Sequence, residues 1–348
     1  MSGILTAIFY FLIMVLVFGV LIFIHEFGHF ITARLFKIKV NEFAIGMGPK
    51  LFSRISKKSE IKYTLRALPI GGFVSMEGED DASDDENAFC NKSVWKRMLV
   101  VAAGPAMNLL LGVLLMATLV FSQNALGSTT VAKFSENAVS NQKLMEYDTI
   151  IKVENTKVHT WNDLAYEIMY QGYEPIDIVV ERNGERITLE DVTFPTFEDS
   201  GVLFGDCDFI PYAESSSNLG VLLKHTYYRS LSTVKMVYDS IGGLLSGRFG
   251  MEAVSGPVGV TEAVGEAAKS GYTNFLYIIA VLTINLGVFN FIPFPALDGG
   301  RFLLLLVEGI RRKPLNKNIE GYINFAGLII LFSFMIVVTC KDILKLIF

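Results

Sequence analysis

The chain has 348 residues, of which 51% are hydrophobic and only 19% are charged, and its mean hydropathy is +0.44. This composition is typical of a membrane protein and argues against an ordinary water-soluble domain. The net charge of -5 provides no basic surface, which argues against nucleic acid as a partner. Three widely spaced cysteines, Cys90, Cys207 and Cys340, predict neither a disulfide framework nor a cysteine-based zinc site.

Four apolar stretches are long enough to cross the roughly 30 Å hydrocarbon core of a bilayer. They lie at about 4–24, 98–121, 272–292 and 324–347. The first has neither a positively charged start nor a small-residue cleavage site after it, so we expect a retained helix and not a signal peptide. The predicted fold is a multi-pass α-helical membrane protein with four transmembrane helices.

The basic residues predict how these helices are oriented, because short loops rich in Lys and Arg stay in the cytoplasm. Residues 34–97 contain twelve Lys and Arg, whereas residues 1–33 contain none. A second basic cluster lies within 293–323. Both loops are therefore expected to be cytoplasmic, and both chain termini extracytoplasmic.

The long segment after the second helix has the pattern of a small β-rich domain at about 127–196. Short β-branched stretches alternate in hydrophobicity, Asn183-Gly184 predicts a hairpin turn, and Thr160 is a candidate helix cap. From Leu219 to Leu245 apolar residues recur at helical spacing, which predicts an amphipathic helix. His159 and His225 are expected to be ordinary surface residues.

The first basic loop is not uniformly polar. Two glycine-punctuated stretches, 40–55 and 61–76, read as short strands and turns, and an acidic run follows at 77–86. We expect that acidic run to be a solvated loop.

A candidate metal site stands out in H-E-F-G-H at 25–29. On a helix, His25 and His29 share one face about a turn apart, as two imidazoles must to bind one zinc ion. In an H-E-x-x-H motif the glutamate, here Glu26, acts as general base on the attacking water. Ionisable groups at the end of an apolar helix are costly, which favours a functional reason over ordinary core histidines.

A catalytic zinc needs a third protein ligand, and Asp298 is the best candidate. It is the only acidic residue between Glu266 and Glu308 and follows the third predicted span. The predicted topology places it at the same membrane depth as the histidines. Pro293 and Pro295 are expected to end the helix and hold the chain extended before it.

Five motifs occur together in the chain: H-E-F-G-H at 25–29, N-F-I-P-F-P-A-L-D-G at 290–299, G-P-A-M-N at 104–108, L-P-I-G-G-F-V at 68–74 and S-G-P-V-G at 255–259. With these motifs the chain resembles the site-2 protease family of intramembrane zinc metalloproteases, in particular its bacterial branch with a PDZ domain. The resemblance covers nearly the whole chain.

This resemblance implies Zn2+ held by His25, His29 and Asp298, with Glu26 activating water. It also implies substrate contacts at the Asn290 motif, which includes Pro293 and Pro295, and at the Gly71-Gly72 strand, with Asn108 packed beside the site. The expected substrates are membrane proteins with a single transmembrane helix, such as anti-sigma factors or remnant signal peptides. The expected location is the bacterial cytoplasmic membrane, in contact with the lipid bilayer.

The resemblance also implies a domain organisation. Residues 1–121 would hold helices 1 and 2 with a membrane-reentrant β segment, 122–196 an extracytoplasmic PDZ-like α+β domain, 197–271 an amphipathic connector, and 272–348 helices 3 and 4. Two other functions stay open from the sequence: a catalytically silent scaffold carrying the PDZ-like domain, and a transporter with broken helices.

Overall fold

One uninterrupted helix, α1 (Gly3–Leu35), contains both the first apolar stretch and the two histidines. The computed structural model describes residues 3–79 and 81–347. The other helices are α2 (Val94–Phe121), α3 (Trp161–Gln171), α4 (Leu219–Ser246), α5 (Pro257–Lys269), α6 (Tyr272–Phe291), α7 (Asp298–Arg311) and α8 (Lys317–Ile347). The strands are β1 (Val40–Ile55), β2 (Lys62–Met76), β3 (Ala125–Phe134), β4 (Thr149–Val153), β5 (Thr156–Lys157), β6 (Ile176–Arg182), β7 (Glu185–Val192), β8 (Thr196–Asp199), β9 (Val202–Gly205) and β10 (Phe209–Ser215).

The prediction of four helices able to cross a membrane is confirmed. Within the described residues, the helices with sufficient length and apolar content are Ile8–Leu35, Val94–Phe121, Tyr272–Phe291 and Lys317–Lys345. Each is longer than the minimum of about 17 residues that a bilayer core requires. The first helix continues well past the predicted end at residue 24, so the histidine motif lies on regular helix.

The chain divides into two compact units, 1–112 with 255–348, and 113–254. The core of the first unit is an apolar cluster that includes Ala33, Phe43, Val100 and Leu305, drawn from α1, β1, α2 and α7. This cluster packs around the carboxyl-terminal part of α1, where His25 and His29 lie. The motif therefore lies on the part of α1 that packs into this core, with Phe23 before it and Phe30 after it against the cluster.

Strands β1 and β2 form an antiparallel hairpin that bends back on itself. Phe43 is paired with Val74 on one side and with Tyr63 on the other, and Thr64 is paired with both Ala44 and Ser53. The stretch 72–76 is therefore an outer edge of this small sheet. Among the described residues, no further strand pairs with that edge.

The second unit contains a six-stranded antiparallel sheet in the order β10-β3-β4-β6-β7, with β5 paired to β4. The Asn183-Gly184 turn is confirmed: both residues have positive φ, 54° and 83°, and they connect β6 to β7. Thr160 is the N-cap of α3, and its backbone N–H donates to Asp163 Oδ1 at 2.6 Å. Strand β10 extends the sheet beyond residue 196.

The prediction that His225 is an ordinary surface residue is wrong, because only 2% of the residue is exposed. Its Nε2 lies 3.4 Å from Glu214 Oε2, and burial lowers the pKa of its imidazole, although the Glu214 carboxylate opposes that shift. His159 is half-buried and stacks on the Tyr228 ring, with centroids 3.8 Å apart. Helical spacing indicated an amphipathic helix but not which of its polar residues faced inward.

Candidate metal centre

Three potential ligand atoms meet where α1 approaches the start of α7. His25 Nε2 lies 2.9 Å from Asp298 Oδ2 and 3.2 Å from His29 Nε2, and His29 Nε2 lies 3.4 Å from Asp298 Oδ2. In a tetrahedral zinc site with bonds of about 2.0–2.1 Å, neighbouring ligand atoms are roughly 3.3 Å apart. The triangle of ligand atoms therefore has the size that one zinc ion requires.

The protonation of His29 fits a metal ligand. Its Nδ1 lies 2.8 Å from the backbone carbonyl oxygen of Val100, a group that only accepts hydrogen bonds. Nδ1 must therefore donate, and in the neutral imidazole this leaves the lone pair on Nε2, the atom directed at Asp298. Two acceptor atoms facing each other at 3.4 Å are stabilised by a cation between them.

Asn108 contacts His25 at Nδ1, the ring nitrogen that does not face Asp298. The Asn108 Nδ2 atom lies 3.2 Å from His25 Nδ1, while its Oδ1 is buried without a hydrogen-bond partner in the described structure. Exchanging the amide nitrogen and oxygen by a 180° rotation places Oδ1 where it accepts from Nδ1–H. That orientation satisfies the buried oxygen and frees Nε2 of His25 to bind metal.

Asp298 is placed by a tight connection between α6 and α7. As predicted, α6 ends just before Pro293, at Phe291, and Ile292 and Leu297 are extended. Between them the chain is not extended throughout, because 295–296 form a turn in which Leu297 N donates to Phe294 O at 3.2 Å. Ala296 has a positive φ of 71°. A Cβ on Gly299 would lie 2.5 Å from the Phe291 backbone, so the chain must have glycine directly after the aspartate.

Asp298 itself is the first residue of α7. Burial raises the pKa of its carboxyl group, but the imidazoles of His25 and His29 lower it further, so the net shift is downward. The ionised form, which is the form that ligates zinc, is thus favoured.

Glu26 lines the same cavity as the three ligands, a space of about 200 Å³ that we call the metal cavity. The edge stretch of β2 forms another wall, with Phe73, Val74 and Met76. Gly72 lies directly beside the base, since a Cβ there would be 3.2 Å from Glu26 Cγ. The cavity thus brings together a candidate base, three candidate ligands and an unpaired strand edge.

The remaining predicted site residues lie in other environments. Gly71, with φ of 88°, packs against Met47, and Pro295 packs against Gly327 of α8. Asn290 donates from Nδ2 to the Leu286 carbonyl of its own helix at 2.9 Å. Pro293 is exposed, and neither proline nor Asn290 lines the metal cavity.

Three residues to which the sequence assigned no role in the site also surround the candidate ligands. A Cβ on Gly104 of α2 would lie 2.8 Å from His25 Nε2 and closer still to His29 Nε2. Glu79 and Arg301 line the metal cavity and form an ion pair. Glu79 belongs to the acidic run at 77–86, so the prediction of a solvated loop is wrong for this residue. The signal for Gly104 was its place as the first residue of the G-P-A-M-N motif at 104–108.

Comparison with known proteins gives a consistent result. The model of peptidase family M50 matches residues 13–334. A Clostridium acetobutylicum protein named as a zinc metalloprotease is 38% identical, over 95% of this chain and 96% of its own length. A Fusobacterium nucleatum protein with the same kind of name is 35% identical over 97% of this chain and 99% of its own. The regulator of sigma-W protease RasP of Bacillus subtilis is 28% identical over 95% of this chain and 97% of its own.

Proposed function

Because the chain belongs to peptidase family M50, the site-2 proteases, it is a zinc metalloendopeptidase of the membrane, and we propose that it cleaves transmembrane segments of single-span membrane proteins. The observation that carries the proposal is the triangle of His25, His29 and Asp298 ligand atoms, with sides of 2.9–3.4 Å, beside Glu26 in a cavity within apolar helices.

In this proposal His25, His29 and Asp298 hold the metal. Zinc, when bound, supplies a Lewis acid that lowers the pKa of a water molecule toward about 7 and polarises the scissile carbonyl. Glu26 accepts the proton as the water oxygen bonds to the carbonyl carbon, and returns it to the amide nitrogen as the C–N bond breaks. Val100 and Asn108 keep the two imidazoles in the required tautomer and orientation.

The free edge of β2 at Gly72–Met76 supports a role in binding substrate. A helical peptide bond uses its carbonyl and N–H within the helix, so the substrate must unwind before hydrolysis, and the exposed backbone groups then need new partners. An edge strand beside Glu26 offers those partners by adding the substrate as a further strand. Asn290 is proposed to exchange its contact with Leu286 for a contact with substrate.

We propose that the substrates include anti-sigma factors or remnant signal peptides, the first of these supported by the name of the Bacillus subtilis relative. We further propose that the metal centre lies toward the cytoplasmic side of the cell membrane. Support comes from the twelve Lys and Arg in 34–97, the loop that directly follows the histidine helix.

The test uses the purified full chain, zinc-loaded in lipid nanodiscs, with a single-span model substrate. We expect Glu26→Gln to retain about one zinc per chain and to lower the cleavage rate by about 10²- to 10⁴-fold, because the proton transfer is lost. Cleavage is measured by mass spectrometry, which also identifies the bond cut, and zinc by elemental analysis.

Glu262→Gln, which changes an exposed glutamate of α5, is the matched control and should retain full activity. A zinc-loaded Glu26→Gln chain that cleaves at the wild-type rate would show that Glu26 is not the base. Wild-type protein that binds the substrate and leaves it intact would instead support the scaffold hypothesis.

A further inference from the structure

A second polar cavity lies next to the metal cavity. It has a volume of about 360 Å³, and its polar lining includes Lys317, Glu320 and Asn324 of α8. We call it the polar vestibule. The metal cavity combines its titratable groups with an apolar wall of α2 and β2 side chains, whereas the vestibule adds Lys317, Glu320 and Asn324 and has no such apolar wall. It therefore provides an environment suited to water and to charged peptide ends.

The two cavities share three lining residues: Glu79, Asp298 and Arg301. Asp298 is committed to the proposed metal site. The remainder of the shared wall is the ion pair between the Glu79 carboxylate and the Arg301 guanidinium. The pair therefore lies on the common boundary of the vestibule and the metal cavity.

Each partner of the pair has a second contact that fixes its closed position. Glu79 Oε2 accepts a hydrogen bond from Met76 N at 3.2 Å, and Arg301 Nη2 donates to the Glu79 backbone carbonyl at 3.2 Å. The Arg301 guanidinium also lies over the Phe89 ring, 5.2 Å from its centroid. These contacts hold the closed ion pair between the two cavities. Both side chains rotate about single bonds, so the pair can also separate.

A second ion pair on the same helix serves as a reference. Glu308 lies two turns after Arg301 on α7 and binds Arg97 of α2 with both carboxylate oxygens. Its side chains are 12% and 14% exposed, compared with 24% for Arg301 and 16% for Glu79. Glu308 and Arg97 do not line the metal cavity. The reference pair lines a neighbouring cavity together with Glu79 and Arg301 but neither the vestibule nor the metal cavity, so it tests the loss of an ion pair on α7 away from their common boundary.

Charge gives a further reason for an arginine at this position. The metal cavity is lined by three carboxylates, those of Glu26, Glu79 and Asp298, and by one guanidinium. With a divalent cation bound, these groups have no net charge. Arg301 thus lets Glu79 lie near the ligands without adding an uncompensated negative charge.

We propose that the Glu79–Arg301 pair is a gate between the polar vestibule and the metal cavity. Closed, it separates the zinc ligands from the vestibule; open, it admits water and releases the hydrophilic end of the product. This inference rests on the metal site proposed above. Its role is to control access, and neither residue is assigned a part in bond cleavage.

The experiment measures how fast zinc is lost from the full chain in detergent to a hydrophilic chelator, EDTA, and to a lipophilic one, 1,10-phenanthroline. Residual zinc is measured by elemental analysis after gel filtration. We expect Arg301→Met and Glu79→Gln each to accelerate loss to EDTA by about five- to tenfold, because either change removes the ion pair. Loss to phenanthroline should stay within about twofold of wild type, and Glu308→Gln should match wild type with both chelators.

The two variants separate a gate from simple electrostatics. EDTA is anionic, so removing Arg301 alone would repel it and neutralising Glu79 would attract it; opposite changes in rate would overturn the gate. Unchanged EDTA rates in both variants, or equal acceleration with both chelators, would also overturn it. If Arg301→Met does not fold, Arg301→Gln takes its place, because faster loss to EDTA after removal of the guanidinium is the result that electrostatics alone cannot give. Wild-type protein without zinc would contradict the metal site itself, whereas bound zinc with unchanged rates contradicts only the gate.

Discussion

At the scale of single residues, Gly104 determines how closely α2 approaches the metal ligands. The carbonyl of Val100, one turn earlier on the same helix, accepts the hydrogen bond from His29, and Asn108, one turn later, contacts His25. Three positions four residues apart on one helix therefore orient both imidazoles. The glycine between the two contacts leaves the space that the rings occupy.

Gly104→Ala is therefore expected to displace the histidines and to weaken zinc binding by about 10- to 100-fold, the range found when groups that orient metal ligands are changed. The added Cβ would lie 2.6 Å from His29 Cε1 and 2.8 Å from His25 Nε2. Competition with a zinc-binding dye measures the affinity. Gly321→Ala on α8, where a Cβ would meet nothing within 4 Å, is the control. Equal zinc affinity in both variants would mean that α2 moves away from the histidines without weakening zinc binding.

Residue chemistry also explains which site residues could be predicted. His25, Glu26, His29 and Asp298 were recognisable because ionisable groups are rare at the ends of apolar stretches. Glu79 and Arg301 were not, since each lies in a loop or helix start where charge is ordinary. Their pairing joins positions 222 residues apart, and a relation of that kind exists only after the chain folds.

At the scale of elements, α5 begins with an unusual cap. Its N-cap residue, Gly256, has no side chain to accept hydrogen bonds from the first turn. Asp342 of α8 supplies the acceptor instead: its Oδ2 accepts from Gly256 N at 2.9 Å and from Gly259 N at 3.0 Å. A carboxylate at this end also complements the helix dipole. The first turn of α5, which contains the S-G-P-V-G motif, is thus capped by a residue of α8.

Asp342→Ala should destabilise the start of α5 by about 1–2 kcal/mol, the usual cost of losing a helix cap. The measurement is amide hydrogen exchange at residues 256–262, which should be faster than in wild type. Asp342→Asn retains one acceptor oxygen and should show a smaller change. Unchanged exchange in the alanine variant would show that the first turn is held by its packing alone.

Some helices and strands could be predicted from the sequence and others could not. The four apolar helices, the Asn183-Gly184 hairpin and the Thr160 cap follow from local patterns and were predictable. Strand β10 was not, because its partner β3 lies more than 70 residues earlier and its own sequence includes Pro211. The doubled pairing of β1 and β2 likewise depends on how both strands bend, which alternation alone does not indicate.

At the scale of the whole molecule, the proposed orientation makes a direct prediction about surface labelling. In a chain whose three native cysteines are replaced by serine, Ser200→Cys should react with a membrane-impermeant maleimide on intact cells, and Glu86→Cys should react only after lysis. Both native side chains are exposed in the structure, so access depends on the side of the membrane. Reaction of Glu86→Cys in intact cells would reverse the orientation.

The close approach of α2 to the imidazoles also affects the stereochemistry of the proposed reaction. Because Gly104 brings helix backbone against both imidazole nitrogens, one side of the ligand triangle is closed, and the edge of β2 lies beside Glu26. In the proposed reaction a planar substrate carbonyl would thus present the same face to the attacking water in every turnover, so the tetrahedral carbon would form with a single handedness. The two enantiomers of an inhibitor that imitates this tetrahedral carbon would therefore bind with different affinities. The metal centre would be stereoselective although no ligand atom is itself chiral.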